Sequence, residues 1–121
     1  MPYLIQLNTY GDEAGRLTVF EKIFDGDVKR AFYIYGVAPS EVRAAHGHHK
    51  ATNALMCLAG RCSVYVKNKL SEFDFVMQHP DQCLILDPGD WHSISNFSSD
   101  AVVLVLSDHL YDKADYIHDK P

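Results

Sequence analysis

Three histidines fall within the four residues His46-Gly47-His48-His49, in a chain that holds seven histidines among 121 residues. An imidazole with its ordinary pKa of about 6.5 accepts and releases protons near neutrality, and it is also a common metal ligand. On an extended strand His46 and His48 point to one face and His49 to the other, so the spacing predicts a pair and an outlier. A lone strand histidine is most often structural. Two on one face across a glycine point to proton transfer or metal binding.

The elements that must hold this pair are short. Apolar segments broken by turn residues run from Gly11 onward, with no long stretch of 3.6-residue period. The segments 17–24, 30–37, 42–48, 53–58, 62–67, 72–77, 83–86, 91–96 and 101–106 read as strands, and a spacing near ten residues favours a sandwich or barrel. Cys62, Val64 and Val66 alternate with Ser63, Tyr65 and Lys67, as half-buried antiparallel strands do. Turns are expected at Lys67-Asn68-Lys69, Ala59-Gly60, Asp87-Pro88-Gly89-Asp90 and Ser98-Ser99-Asp100. Only Asp108 to Asp119 reads as helical. Pro2 to Tyr10 reads as an extended segment without a hairpin partner, an edge that needs cover.

Composition bounds the partners. Lys and Arg number 11 against 16 Asp and Glu, a net charge of -5, so no broad basic face exists for nucleic acid. The longest apolar run, Ala101 to Leu106, is far short of the roughly 20 residues of a membrane span. A single domain over 1–121, acting in the cytoplasm and not on a membrane, is the expectation. Cys57, Cys62 and Cys83 are odd in number, lack CxxC spacing and lie among apolar neighbours, which predicts reduced core residues.

The stretch from His46 to Asn96 resembles the two cupin motifs: HxH followed by a polar residue at Asn53 and a glycine at Gly60, then Pro88-Gly89-Asp90-Trp91-His92 with Asn96 four residues on. The resemblance implies an all-β, jelly-roll-type cupin β-barrel with His46, His48, Asn53 and His92 facing its interior. Metal-binding cupins carry a glutamate where this chain has Thr52-Asn53, and a neutral amide is a poor ligand for a divalent transition metal. No cofactor is therefore expected, although a site built from His46, His48 and His92 remains geometrically open.

A narrower resemblance covers nearly the whole chain. Lys29 to Tyr35, Arg43-Ala44-Ala45-His46-Gly47-His48, Met56 to Gly60, Trp91-His92, Phe97 to Leu106 and Tyr111 to Ile117 are similar to the dTDP-4-keto-6-deoxyglucose 3,4-ketoisomerases. Where that family usually has Arg-Gly-aromatic ahead of the first histidine, this chain has Arg43-Ala44-Ala45, and it has His49 where the family has lysine. The resemblance implies a metal-independent isomerase acting on a dTDP-linked keto-deoxysugar, as a homodimer whose N-terminal strands are exchanged.

Moving a ketone from C4 to C3 needs a base for the C3 proton, stabilisation of an enediolate and an acid that returns a proton at C4. Under this resemblance His48 is the principal base and His46 its partner. Arg43 stabilises the enediolate or grips a phosphate, and Tyr33 donates a hydrogen bond to a sugar oxygen. Arg16, Lys50 and Arg30 join Arg43 at the pyrophosphate, Trp91 or a tyrosine such as Tyr35 stacks on the base, and Asn53 and His92 contact the sugar. Two alternatives stay open, a metal-dependent cupin enzyme and a non-catalytic sugar-nucleotide binding cupin.

Overall fold

A computed structural model describes residues 1–121. Twelve strands follow one another: β1 (Tyr3–Gln6), β2 (Asn8–Asp12), β3 (Gly15–Val19), β4 (Arg30–Tyr35), β5 (Arg43–His48), β6 (Asn53–Ala59), β7 (Cys62–Lys67), β8 (Glu72–Met77), β9 (Gln82–Leu86), β10 (Trp91–Ser95), β11 (Val102–Ser107) and β12 (Tyr116–Ile117). They form two five-stranded sheets, ordered β1-β9-β6-β11-β4 and β12-β5-β10-β7-β8, with β2 and β3 as a separate hairpin. The all-β expectation holds. The closed barrel does not, because each sheet ends in edge strands and the two are not joined by hydrogen bonds into a ring.

Alternation explains how the layers meet. Val64, Val66, Ile94, Leu55, Cys57, Leu84, Val103 and Val105 point between the sheets and form the main core. The first sheet is also covered on its outer side, where Ala54, Met56, Cys83 and Ile85 pack beneath Phe20, Ile23 and Phe24. Burial on both faces is why β6 and β9 read as continuous apolar runs. The three cysteines are free and buried, as expected.

Two expectations fail. The segment 108–119 is not a helix. Asp112 caps a single 3-10 turn, Lys113–Asp115, and the chain then turns extended as β12, pairing Tyr116 with His48 and Ile117 with Gly47. The open edge of β5 supplies ladder partners that a short polar helix would lack. Residues 2–10 also have partners: β1 pairs with β9, and β2 pairs with β3 across Gly11 and Gly15. No helix is long and apolar enough to cross a membrane.

Candidate active site

A cavity of about 690 Å³ opens between the sheets, where β4 at the edge of one faces β5 and β12 at the edge of the other. That volume suits a small-molecule ligand. Arg30, Phe32 and Ile34 from β4, Arg43 and His46 from β5, Asn53, His92 and Tyr116 line it.

The histidine pair behaves as its spacing predicts. His46 and His48 share a face with ring centroids 5.2 Å apart, and His92 approaches His46 from β10 at 5.1 Å. His49 turns away into a separate cavity with Asn68, Phe73 and Asp90. Gly47 is glycine for a steric reason: a Cβ there would sit 3.1 Å from both the Asp90 carbonyl oxygen and the Trp91 Cα. Beside it β5 bulges. Ala44 and Ala45 both take left-handed conformations, φ 66° and 58°, where the register with β10 shifts between His92 and Ser93. Two successive alanines in that region store strain of roughly 1–2 kcal/mol each, at the turn of chain that carries Arg43 to the cavity wall.

Burial lowers the proton affinity of all three rings. His46 falls to about 4, through desolvation and then the neighbouring His48, and His92 falls to about 3, through desolvation and then His46 and His48. His48 shifts the same way through desolvation, opposed by Asp115. All three rings are therefore neutral at neutral pH. His92 Nδ1 is sealed from solvent without a hydrogen-bond partner. No three His, Cys, Asp or Glu side chains come together as a metal-binding group, and Asn53 on the cavity wall is a neutral amide, a poor ligand for a divalent transition metal.

The expected residues divide. His46, Arg43, Asn53, His92 and Arg30 meet around the cavity, whereas Tyr33 and Tyr35, though on the strand that borders it, turn their rings to the face of β4 opposite Phe32 and Ile34, 66% and 68% exposed and stacked on each other. His48, expected as the principal base, is not on the cavity wall but behind His46, 8% exposed, against Tyr116 at 4.6 Å. Other placements fail too. Arg16 stands on the exposed β2–β3 hairpin, paired with Gly11, away from the cavity. Lys50 is exposed and meets this region only through its backbone N–H. Trp91 is next to inward-facing His92 and so points to the opposite face of β10, where it packs on Tyr65 with Lys120 over both rings. Asn96 likewise turns away, donating to Ser63 Oγ.

The C-terminal segment supplies two groups that the sequence reading gave no role. Tyr116 lies 4.7 Å from His46 and accepts a hydrogen bond from Arg30 at 3.3 Å. Asp115 is buried and reaches His48.

Known proteins share this arrangement. The sequence profile of the family described as FdtA: WxcM-like, C-terminal matches residues 2–121. A TDP-4-oxo-6-deoxy-alpha-D-glucose-3,4-oxoisomerase of Aneurinibacillus thermoaerophilus is 34% identical over 108 residues, covering 88% of this chain and 78% of that protein. The 3,4-ketoisomerase QdtA of Thermoanaerobacterium thermosaccharolyticum, solved as a histidine-to-asparagine variant with TDP-4-keto-6-deoxyglucose, superimposes with a TM-score of 0.92 at 32% identity, over 98% of this chain and 87% of its own. The TDP-quinovose 3,4-ketoisomerase WlaRB of Campylobacter jejuni gives 0.91 at 28%, over 98% and 92%. On a match that spans all but the first residue, together with a relative above 30% identity, this chain belongs to the FdtA (WxcM-like, C-terminal) family.

Proposed function

We propose that this chain is a sugar-nucleotide 3,4-ketoisomerase that moves the ketone of a TDP-linked 4-keto-6-deoxyhexose from C4 to C3. The observation that carries this reading is His46, a neutral imidazole on the wall of a cavity that also holds the cations Arg30 and Arg43, with His48 packed behind it at 5.2 Å between ring centroids. The relatives supply the substrate class, since they are 3,4-ketoisomerases of TDP-linked sugars.

His48 takes the C3 proton, and electrons flow through the new C3–C4 double bond onto the C4 oxygen. Arg43 stabilises that enediolate as a fixed cation. The proton taken by His48 is released to solvent. His46, neutral at rest, takes one up and delivers it to C4, and the C3 hydroxyl proton passes to the C4 oxygen as the C3 ketone forms. The C3–H and O3–H of the substrate are thus exchanged for C4–H and O4–H in the product, with no change of redox state. Asn53 and His92 hold the sugar, and Arg30 joins Arg43 at the phosphates. No cofactor enters this scheme.

The fold is read as a cupin of the jelly-roll type whose two sheets are open at the cavity. A homodimer fits the uncovered surface: Tyr10 and Leu17 on the hairpin are 61% and 60% exposed, as are Tyr33 and Tyr35 to a similar degree. A second copy that covers these rings also gives the projecting Arg16 hairpin a cavity mouth to reach. Sedimentation at twice the mass of the chain supports the dimer, and a monomer at micromolar concentration overturns it.

Incubation with TDP-4-keto-6-deoxyglucose in heavy water, followed by NMR of the sugar, tests the reaction. The expected product is the 3-keto isomer with deuterium at C4. Tight binding with no exchange and no product overturns the reading in favour of a sugar-nucleotide binding protein.

A further inference from the structure

Asp115 is 7% exposed, a degree of burial that an aspartate tolerates only when paired. Its Oδ1 accepts the Lys50 backbone N–H at 2.7 Å. Its Oδ2 accepts the Ala51 backbone N–H at 3.3 Å and lies 3.1 Å from His48 Nδ1. Two of these three neighbours are peptide N–H groups, which only donate, so the carboxyl is held as an acceptor. Burial pushes its pKa upward, but the Lys50 and Ala51 hydrogen bonds, with His48, outweigh burial and leave it below the ordinary value.

An ionised acceptor against Nδ1 decides where the imidazole keeps its hydrogen. Nδ1 must donate, and the lone pair is then on Nε2. That nitrogen makes no hydrogen bond in the chain, yet it is not among the sealed, unpartnered atoms, so it keeps access to solvent. Arg30 on β4 and His109 after β11 face His48 as cations or potential cations and disfavour a proton on it, as burial does. His46, from the same strand, and the Tyr116 ring complete its surroundings. Asp115 opposes the cations, so it favours the imidazolium that forms when His48 takes a proton.

We propose that Asp115 is a positioning residue for proton transfer: pinned by the Lys50 and Ala51 amides, its carboxylate holds His48 in the Nδ1–H tautomer and makes Nε2 the proton acceptor. For turnover this rests on the ketoisomerase reading. For the tautomer it rests on the fold alone. A carboxylate needed only to fasten the C-terminal segment would be satisfied by the two amides, so the contact with His48 is what separates the two roles.

The test is Asp115→Asn in the full chain, with nitrogen-15 NMR of the histidine rings, the His48 signal being assigned by its loss in His48→Asn. The amide oxygen of the variant keeps the shorter bond to Lys50, which places its NH₂ against His48 Nδ1 and inverts the tautomer. In the unsubstituted protein the His48 spectrum should show a protonated Nδ1 and a bare Nε2. The variant should show the reverse and lose about 100-fold or more in kcat, with KM for the sugar nucleotide unchanged and the acid limb of the pH profile displaced. Asp115→Glu should recover part of kcat if a carboxylate is what matters. A bare Nδ1 in the unsubstituted protein overturns the proposal without any variant having to fold. Loss of TDP binding in parallel with kcat, or an unaltered tautomer in a folded Asp115→Asn, also overturns it. If the unsubstituted protein shows the Nδ1–H tautomer but turns over no keto sugar, the ketoisomerase reading fails and the Asp115–His48 pairing stands.

Discussion

The indole N–H of Trp91 donates to the carbonyl of His118 at 3.1 Å, so the side chain next to His92 holds the end of the chain on the outside of the sheet. Trp91→Phe keeps an aromatic ring against Tyr65 and Lys120 and removes this bond. The expected result is a stability loss of at most about 1 kcal/mol in urea unfolding, with TDP affinity unchanged by calorimetry. A drop of about tenfold in affinity, or roughly 1.4 kcal/mol, would restore Trp91 to the binding site.

Acid should destabilise the protein before its carboxylates titrate. The unfolded chain protonates each histidine near 6.5, whereas folded His46 does so only at about 4 and folded His92 at about 3. These depressed values mean that their contribution is fully present above about pH 6.5 and declines as pH falls through that value, levelling off below the folded pKa. Each ring adds a slope of at most about 1.4 kcal/mol per pH unit, and His46 less because it is partly open to solvent. Urea unfolding between neutral pH and about pH 4 measures this slope, which should be shallower in His92→Gln. Stability that is flat across that range would mean that the three rings are hydrated in solution.

Gly47→Ala should separate β5 from β10. The added methyl meets backbone atoms at 3.1 Å, and backbone does not yield as a flexible side chain does. A stability cost of about 1–3 kcal/mol is expected, with lower turnover because His46 and His92 sit on the two strands that must part. Wild-type stability and kcat together would show that β5 and β10 leave room for a methyl group at position 47.

His48→Asn should remove isomerisation, by about 100- to 10,000-fold, while leaving TDP binding nearly intact, because the phosphates are read by arginines elsewhere. His46→Asn should slow turnover yet still allow exchange of the C3 proton with heavy water. The exposed His118 serves as the control, and His118→Asn should do little. Retention of more than about a tenth of wild-type turnover in His48→Asn, against that expected range, would make His48 structural.

Much of this architecture was legible. The strands Cys62–Lys67 and Glu72–Met77 match their alternation to the residue, and the parity of His46, His48 and His49 put the pair and the outlier where they are. The same parity, applied to Trp91 beside His92, would have turned the indole outward, but a stacking role set by resemblance took precedence. The region 108–119 was misread because Asp112 does cap a turn, accepting from Ala114 N at 3.0 Å, while the tertiary pairing of β12 with β5 then overrides local preference. Asp115 was illegible for the same reason, since its partners His48, Lys50 and Ala51 are brought to it only by that pairing. Nor did anything in Arg43-Ala44-Ala45 announce a bulge, because alanine is a rare occupant of the left-handed region that glycine normally fills.

β12 joins β5 across a long interval of chain, and the His48–Asp115 contact it makes spans 67 residues. Local hairpins such as β7–β8 close small loops, whereas this contact closes one of the largest, and the entropy lost on closure grows with length. Arg30 reaches the cavity wall by the equally distant pairing of β4 with β11, and Tyr116 of β12 is itself part of that wall, so the site is assembled late and as a whole. A chain whose last strand has frayed loses part of its binding wall and its carboxylate in one event, and affinity and chemistry fail together.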